Sequence, residues 1–266
     1  MSLYIVPTPI GNLGDITRRA VEALERADFV IAEDSRYTLK LLSHLGLRKR
    51  IVSHYRPKEE EQAERIVAML AAGEEGALVT DSGTPGISDP GGLLVRRAIA
   101  AGVEVVPLPG PTAFVPALAA SGIDAGRFLF LGFPPRVAGE RRRFLEEVAG
   151  LPYALVFYES PRRLAELLDD AAAVLGDREF ALAKEISKKH ERFVRSRLGE
   201  WRAACAGEPL LGELVLVVAG ARQAARADEA PPLRDLEDLF AFFQKRYGMG
   251  RNALKKVLMK RRDRGI

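Results

Sequence analysis

Short apolar runs alternate with longer amphipathic stretches along most of the chain. The runs are rich in β-branched and aromatic residues, which favours strands; they are SLYIVPT, DFVIAED, GALVTD, VEVVPLPG, RFLFLGF, ALVFYES, EFALAKEI and GELVLVVAG. Between the runs, apolar residues recur at helical spacing, as in 16–27, 66–70 and 164–174. This alternation predicts an α/β protein with a mostly parallel sheet and helices on both of its faces.

Polar, kinked loops follow several of these predicted strands. They read PTPIGNLGD, AEDSRYT, TDSGTPGISDPGG, PLPGPTAF and FYESPRR. Glycine lets a backbone approach a ligand, proline fixes the shape of a loop, and Ser, Thr and Asp supply hydrogen bonds. Ligands of α/β sheets bind beyond the carboxyl ends of the strands, so five such loops predict a small-molecule pocket there. Any one loop taken singly is also typical of a plain strand-to-helix turn with a helix cap.

Composition narrows the class of protein. The chain has 266 residues with 47% hydrophobic and 29% charged side chains, values of a globular protein with one or two domains. It has no apolar run near the ~20 residues of a membrane helix, and its start, MSLYIVPTPIGN, lacks the features of a secretory signal. We therefore expect a cytoplasmic protein that neither spans nor binds a membrane. One cysteine and three scattered histidines lack metal-ligand spacing, so we expect no metal.

Two nucleotide-binding fingerprints are also lacking. Neither G-x-G-x-x-G after the first strand nor G-x-x-x-x-G-K-[ST] occurs in the sequence. The pocket is therefore expected to hold neither a dinucleotide nor a P-loop nucleotide.

Positive charge is concentrated in three places. Residues 245–266 carry nine Lys or Arg and one Asp, a net +8, which leaves −4 for the rest of a chain whose net charge is +4. Two more basic clusters lie at 136–143 and 184–197. Such clusters neutralise phosphates, although a single charge run more often means a solvated surface. Three clusters on an otherwise acidic chain favour RNA as a partner.

The last part of the chain departs from the α/β pattern. RADEAPP is typical of a linker, and beyond it two short amphipathic helices flank the turn YGMG, as in a helix-turn-helix unit. This unit is interpreted as an RNA-docking appendage, or alternatively as a helical hairpin that covers the second domain or a dimer interface. We predict an N-terminal α/β domain over 1–115, a second α/β domain over 116–222, and the linker with its basic helical tail over 223–266.

Several motifs together resemble a known family. In order along the chain they are VPTPIGNLGDIT, AEDSRYT, LVTDSGTPGISDPG, VVPLPGPTA, RFLFLGF, FYESPRRL and GELVLVV. They resemble the tetrapyrrole methylase superfamily of S-adenosylmethionine-dependent methyltransferases, and within it the bacterial 16S rRNA (cytidine-2'-O)-methyltransferases. Many tetrapyrrole enzymes carry Gly-Gly-Asp-Pro where this chain has Ser82 to Pro85, a departure that argues against a porphyrin substrate.

The resemblance implies a fold, a cofactor and a substrate. The fold is the two-domain class III methyltransferase fold, with a mostly parallel first sheet, a mixed second sheet and S-adenosylmethionine in the cleft between them. The substrate is a decoding-centre cytidine of 16S rRNA in the small ribosomal subunit, modified by a homodimer. The residues implied for the cofactor are Pro9, Asp81, Gly83, Thr84, Pro85, Ile87, Thr112, Ala113, Phe157, Tyr158, Val218, Ala219 and Gly220. Among these, the backbone of Val218 to Gly220 is implied to read the adenine edge.

Catalytic residues are harder to assign. Methyl transfer to a ribose hydroxyl requires alignment and is assisted by a general base. Candidate bases on the loops are Glu33, Asp34, Asp81, Glu159, Lys184 and Glu185. We favour Asp34 with Arg36 as a substrate-facing pair and Glu159 as a third catalytic residue. The alternatives are that Asp34 caps a helix and pairs with Arg36, and that Glu159 only precedes a helix that starts at Pro161.

Two other functions stay open at this point. One is a methyltransferase of the same fold that acts on a small tetrapyrrole-like molecule. The other is a non-catalytic RNA-binding protein with a vestigial pocket.

Overall fold

The computed structural model describes residues 1–54, 59–207 and 212–222, together with positions 238, 240, 241, 244, 250 and 252. The chain divides into two compact units, Met1–Ala221 and Arg222–Ile266. All elements named below belong to the first unit. The tail predicted over 223–266, with its linker and paired helices, lies outside the described residues except at those six positions.

The first sheet is fully parallel. Its strands are β1 (Ser2–Ile5), β2 (Phe29–Ala32), β3 (Arg50–Ser53), β4 (Gly76–Leu78) and β5 (Glu104–Pro107). They lie in the order β3-β2-β4-β1-β5. The helices that connect them are α1 (Arg18–Arg26), α2 (Ser35–His44), α3 (Glu59–Ala71) and α4 (Gly92–Ala100), and a short 3-10 helix spans Leu13–Asp15.

Alternate residues of these strands serve two cores. Tyr4 and Val30 pack against α1 and α2 on one face, whereas Leu3 and Ile31 pack against α3 and α4 on the other. A strand that is buried on both faces must be apolar along its whole length, which is why FVIA reads as a continuous hydrophobic run. The predicted parallel sheet with helices on both faces is confirmed.

The second sheet is mixed, as the resemblance implied. Its strands are β6 (Phe128–Gly132), β7 (Ala154–Glu159), β8 (Glu179–Lys184), β9 (Arg192–Arg197) and β10 (Leu214–Val218), in the order β6-β7-β10-β8-β9. Only β6 and β7 pair in parallel; the other pairs are antiparallel. Its helices are α5 (Phe114–Ala119), α6 (Ala138–Val148), α7 (Pro161–Leu175) and α8 (Trp201–Ala204), with a second 3-10 helix at Leu198–Glu200.

Strand β10 has a direction that matters for the site. Because it runs antiparallel to both neighbours, its first residue, Leu214, lies opposite the last residues of β7 and β8, Glu159 and Lys184. The amino end of β10 therefore shares one edge of the sheet with the carboxyl ends of β7 and β8.

Helices cover both faces of the second sheet. Phe157 and Trp201 belong to the core formed with α6 and α7, and the indole Nε1 of Trp201 donates to Asp169 at 3.1 Å. On the other face, Val156 and Val215 pack with α5 and with Ile10, which comes from the loop after β1. Ile10 thus joins the first sheet to the second core. The boundary predicted between residues 115 and 116 falls inside α5 and stays a prediction.

A buried ion pair joins α6 to α7. Arg141 Nε lies 2.7 Å from Asp170 Oδ2, and both side chains are almost fully buried. Arg142 donates to the other carboxylate oxygen, also at 2.7 Å. Burial alone would raise the pKa of Asp170, but the hydrogen bonds from Arg142 and Arg141 outweigh it and lower the pKa. The pair fixes α6, and with it the loop that precedes this helix.

Among the described residues, no helix combines the length and the hydrophobicity that crossing a membrane requires.

Candidate active site

A cavity of about 300 Å³ opens where the loops of the first sheet meet the second sheet. On the first-sheet side it is walled by the loops that follow β1, β4 and β5, and on the other side by segments beside β6, β7 and β10. The lining residues are Ile10, Ser82, Gly83, Thr84, Ile87, Ser88, Asp89, Thr112, Ala113, Phe133, Tyr158, Glu159, Ser160, Pro161, Gly212, Glu213, Leu214 and Val215. The pocket expected at the strand ends is thus present.

The loop 80–92 forms a pre-shaped wall of this cavity. Gly83 exchanges two backbone hydrogen bonds with Thr8 on the loop after β1, at 2.8 and 3.0 Å. Thr84 donates from its hydroxyl to the Pro111 carbonyl at 3.0 Å, which ties the wall to the loop after β5. Gly83 has φ +92°, a conformation that favours glycine. The wall is therefore held from two sides before any ligand binds.

Six of the residues that the resemblance implied for the cofactor line the cavity: Gly83, Thr84, Ile87, Thr112, Ala113 and Tyr158. Three more are close neighbours along the chain without lining it. Asp81 and Pro85 belong to the same loop, and Pro9 directly precedes Ile10.

Phe157 faces away from the cavity. Side chains alternate along a strand, so Tyr158 and Phe157 point to opposite faces of β7. The Phe157 ring is fully buried in the core with α6 and α7. Its side chain therefore supports the sheet, and only its backbone stays near the cavity side.

Val218, Ala219 and Gly220 lie at the opposite end of β10 from the cavity. The cavity is lined by residues 212–215, at the start of this strand. Ala219 donates its backbone N–H to the Glu179 carbonyl at 2.9 Å, at the beginning of β8. A Cβ at Gly220 would meet the carbonyl carbon of Pro152 at 2.4 Å, so this glycine serves close backbone packing. The antiparallel direction of β10 explains why its first residues, and not its last, reach the pocket.

A row of aromatic rings leads from the second core to the mouth of the cavity. Phe114 stacks on Phe130 with centroids 4.6 Å apart, and Phe130 meets Tyr158 edge-on at 4.9 Å. Phe133 completes the row 5.6 Å from Tyr158. Burial raises the pKa of Tyr158, and hydrogen bonds to Thr112 and to the Phe114 backbone offset part of that rise. Tyr158 is therefore a protonated phenol at neutral pH.

Glu159 is a buried carboxylate in the cavity wall. Its side chain is 0% exposed, and its Oε1 accepts the Ser160 backbone N–H at 2.7 Å. Oε2 lies 3.1 Å from Nη2 of Arg163 but has no hydrogen-bond partner of good geometry among the described residues. Arg163 in turn donates to the carbonyls of Pro134 and Pro135, at 2.7 and 3.2 Å. Glu159 thus anchors the start of α7 and, through Arg163, the loop after β6.

Asp34 and Arg36 form both contacts of the capping alternative. Asp34 is the N-cap of α2 and accepts the Arg36 backbone N–H at 2.8 Å, while the Arg36 Nε donates to the same carboxylate at 3.0 Å. The hydrogen bonds from the Arg36 side chain and backbone lower the pKa of Asp34 to about 2. The Arg36 side chain is 82% exposed. A substrate-facing role for this pair stays a prediction.

Asp81 has the opposite electrostatic environment. Partial loss of hydration raises its pKa, and the charges of Asp34 and Asp89 act in the same direction, against a hydrogen bond with the Asp34 backbone. Asp89 lines the cavity and accepts the Thr80 hydroxyl at 2.8 Å. A proton is therefore held more readily by Asp81 than by Asp34.

Of the remaining candidate bases, Glu33 lies exposed directly after β2, whereas Lys184 and Glu185 lie at the end of β8. Lys184 is buried, and Glu185 has a left-handed φ of +48°. Glu185 pairs with Lys188 at 3.0 Å and accepts the backbone N–H of Glu213 at 3.1 Å. These contacts bind the β8–β9 turn to the segment before β10.

Sequence reasoning missed several lining residues. Ser82, Ser88 and Asp89 lie within the loop that was singled out, whereas Phe133, Ser160, Pro161 and residues 212–215 do not belong to it. Phe133 is the last residue of the run RFLFLGF, and residues 212–214 open the run GELVLVV. Residues 212–214 could have been identified from the sequence if the last predicted strand had been taken as antiparallel, because its first residues then lie at the same edge as the ends of its neighbours.

The part of the chain that the structure describes holds no group of three or more His, Cys, Asp or Glu side chains placed to bind a metal ion.

The chain is similar to proteins of one family along most of its length. The family model described as Tetrapyrrole (Corrin/Porphyrin) Methylases matches residues 2–201. The Ribosomal RNA small subunit methyltransferase I of Micromonospora olivasterospora is 45% identical over 229 residues, which cover 86% of this chain and 73% of that protein. The protein of the same name from Halalkalibacterium halodurans is 39% identical over 270 residues, 100% of this chain and 91% of the relative.

Solved structures agree on the fold. Uroporphyrin-III-C-methyltransferase from Thermus thermophilus superposes with a TM-score of 0.57 at 21% identity, covering 82% of this chain and 94% of the other. Diphthine synthase gives a TM-score of 0.60 at 17% identity, with coverages of 82% and 90%. The chain therefore belongs to the tetrapyrrole methylase family and, within it, to the ribosomal RNA small subunit methyltransferase I group, and it is an S-adenosylmethionine-dependent methyltransferase.

Proposed function

We propose that this protein methylates the ribose 2'-hydroxyl of a decoding-centre cytidine in 16S rRNA, within the small ribosomal subunit. The observation that carries the proposal is the cavity between the two sheets, in a chain that two relatives named as small-subunit RNA methyltransferases match over 86% and 100% of its length. The cytoplasm, where ribosomal subunits reside, is the proposed location, and a homodimer is the proposed state.

The cavity residues fit S-adenosylmethionine, which supplies an electrophilic methyl group on a sulfonium when it is bound. A volume of about 300 Å³ is that of a small-molecule site. Ile10, Ile87 and Val215 offer apolar contact, whereas the carboxylates of Asp89 and Glu159 suit a cationic ligand. The buried Oε2 of Glu159, which has no well-aligned hydrogen-bond partner among the described residues, is an acceptor that such a ligand can satisfy.

The residues of this chain would contribute mainly by alignment. The wall 80–92, held by Thr8 and Pro111, keeps the donor side of the cavity fixed, and a fixed geometry lowers the barrier of a displacement by several kcal/mol. The hydroxyl of Tyr158 stays protonated and is available as a hydrogen-bond donor.

The substrate side is proposed to involve Asp34 and Arg36. The exposed guanidinium of Arg36 suits a phosphate of the RNA backbone, and its ion pair with Asp34 holds it in place. A carboxylate with a pKa of about 2 is a weak proton acceptor, so Asp81, whose pKa is raised, is better suited to take the proton of the ribose hydroxyl. For Glu159, burial and the pairing with Arg163 favour a positioning role.

Exposed cations support an RNA partner. Arg136 and Arg143 lie exposed on and after the loop that follows β6, and Lys189 lies exposed in the β8–β9 turn. These side chains can neutralise phosphates without reading sequence, which predicts a strong dependence of binding on salt.

The test is transfer of a labelled methyl group to small ribosomal subunits isolated from cells that lack this protein, followed by nuclease digestion and nucleoside analysis. Label in 2'-O-methylcytidine is expected. Label in another nucleoside, or none with cofactor binding intact, would contradict the proposal and favour a small-molecule substrate.

A pair of variants, one at the N-cap of α5 and one at its last residue, links the activity to the cavity. Ala113→Phe places a ring in the cavity wall and is expected to abolish both cofactor binding and transfer. Ala119→Phe adds the same ring at an exposed position of the same helix and is expected to leave both unchanged.

A further inference from the structure

Phe133 is an aromatic ring displayed at the mouth of the cavity. It lines the cavity and yet is 57% exposed. The other rings of the aromatic row, those of Phe114, Phe130 and Tyr158, are half-buried. A single exposed apolar side chain is ordinary on a protein surface, but one that also lines a cavity is placed to contact what enters it.

Two arginine side chains bind the backbone that follows this ring. Arg163 donates to the carbonyls of Pro134 and Pro135, and Arg141 donates to the carbonyl of Arg136 at 3.0 Å. Pro134 is itself buried. The loop after β6 has few alternative conformations, because two of its residues are prolines and two arginines from α6 and α7 bind its carbonyls.

The end of β6, which leads into this loop, is equally constrained. The register of β6 and β7 shifts between Phe130 and Gly132, and Gly132 has a left-handed φ of +62°. A Cβ at Gly132 would lie 3.3 Å from the Ser88 hydroxyl oxygen, so this glycine lets the loop approach the wall 80–92 closely. The irregularity turns the chain so that the next side chain, Phe133, reaches the cavity.

We propose that Phe133 is the stacking platform for the target cytosine, an inference that rests on the function proposed above. RNA-modifying proteins hold single unpaired nucleotides by stacking their bases on aromatic side chains. A base on Phe133 has its ribose at the mouth of the cavity, and the exposed Arg136 on the same loop is available to the adjoining phosphate. Because the loop is rigid, it holds the stacked base in one position, and the alignment of the target ribose with the cavity does not depend on the rest of the RNA.

The exposure of Phe133 distinguishes this role from a wall of the cofactor site. A cofactor folded into the cavity contacts the more enclosed residues, such as Gly83 and Ala113, whereas the substrate must arrive from the open side. The ring that remains 57% exposed is on that open side.

The test compares Phe133→Ala and Phe133→Trp with the control Val137→Ala. Val137 is 60% exposed and ends the same loop, but it does not line the cavity. For each variant, kcat and KM are measured with small subunits lacking the methyl group, and the affinity for S-adenosylmethionine is measured by calorimetry. Thermal unfolding and light scattering report folding and oligomeric state.

We expect Phe133→Ala to lower kcat/KM for the subunit roughly 5- to 100-fold, the loss typical of one base-stacking contact. Phe133→Trp restores activity because indole also stacks, Val137→Ala matches the wild type, and the affinity for the cofactor stays the same in all three. Wild-type kcat/KM in Phe133→Ala would overturn the inference. So would a parallel loss of cofactor affinity, which would make the ring part of the cofactor wall, or a change of oligomeric state shared with Val137→Ala.

Methylation of the subunit by the wild-type protein tests the proposed function separately from the stacking role. Methylation of the subunit by the wild type, with no effect of Phe133→Ala, rejects the stacking role and leaves the proposed function standing. Absence of methylation by the wild type rejects the proposed function and the stacking role with it.

Discussion

Replacing Glu159 by Gln separates a catalytic role from a positioning role. The change keeps the shape of the side chain and the acceptor for the Ser160 N–H, but it removes the negative charge beside Arg163. If Glu159 acts as a positioning residue, the substitution lowers stability and leaves the chemical step largely intact. If it acts as a general base, the chemical step is lost and stability is little changed.

The magnitude follows from burial. Removing one partner of a buried ion pair costs about 3–5 kcal/mol, because the other charge is left uncompensated. The Arg163 side chain is 22% exposed and keeps its bonds to the carbonyls of Pro134 and Pro135. We therefore expect a smaller loss, about 2 kcal/mol. For a domain of this size that corresponds to a decrease in Tm of about 4–8 °C.

The assay combines thermal unfolding with methyl transfer at a temperature well below Tm. Glu147→Gln is the matched control, since Glu147 is exposed on the neighbouring helix α6. That variant should change the stability by less than about 0.5 kcal/mol. In a double-mutant cycle with Arg163→Met, the two losses should be clearly less than additive.

One result would refute the positioning role. A Glu159→Gln protein with wild-type Tm and a kcat reduced about 10²- to 10⁴-fold would identify Glu159 as a proton-transfer residue. A kcat within about tenfold of the wild type, with the expected decrease in Tm, agrees with positioning.

Three further predictions concern the wall, the helix pair and the cap. Gly83→Ala, which places a Cβ at φ +92°, should destabilise the fold by about 1–2 kcal/mol in thermal unfolding, whereas Gly139→Ala, in a helix with open space around it, should not lower Tm. Asp170→Asn leaves the buried Arg141 with only the largely exposed Glu166, 3.3 Å away, as a counter-ion and should cost about 3 kcal/mol by urea denaturation, and a loss below about 1 kcal/mol would contradict the burial argument. The pKa of Asp34, about 2 against ~3.9 when unfolded, implies stabilisation that is present above pH ~4 and lost as the pH falls through about 2. The Tm difference between the wild type and Asp34→Asn should therefore shrink over that range, and carboxyl NMR should show the low pKa directly.

The sequence was most informative where burial is two-sided or where a loop carries special residues. The short β-branched run FVIA, bounded by polar residues, predicts a strand, and the glycines and prolines of 80–92 predict a loop at a strand end. The cap at Asp34 also follows from local chemistry, because a carboxylate before SRYTLK accepts the free N–H groups of a helix start.

Other features depend on long-range pairing that no local pattern encodes. The run LVLVV is buried at every position, so its composition does not indicate its direction, and the residues implied for the adenine edge lie at the end of β10 away from the cavity. Phe157 and Tyr158 are both aromatic, so the alternation of faces could not be read from their types. Phe133 ends the run RFLFLGF, and the register shift between Phe130 and Gly132, which no local pattern encodes, precedes its turn toward the cavity.

The location of Trp201 decides what intrinsic fluorescence can report. It is the single tryptophan of the chain, and it lies in the core on the α6–α7 face of the second sheet, opposite the face that carries Tyr158. Its emission is therefore a selective optical probe for the unfolding of that core, and it should respond little to a ligand that enters the cavity. A Phe133→Trp protein would carry a second emitter at the mouth, and the difference between the two spectra would isolate the arrival of the RNA.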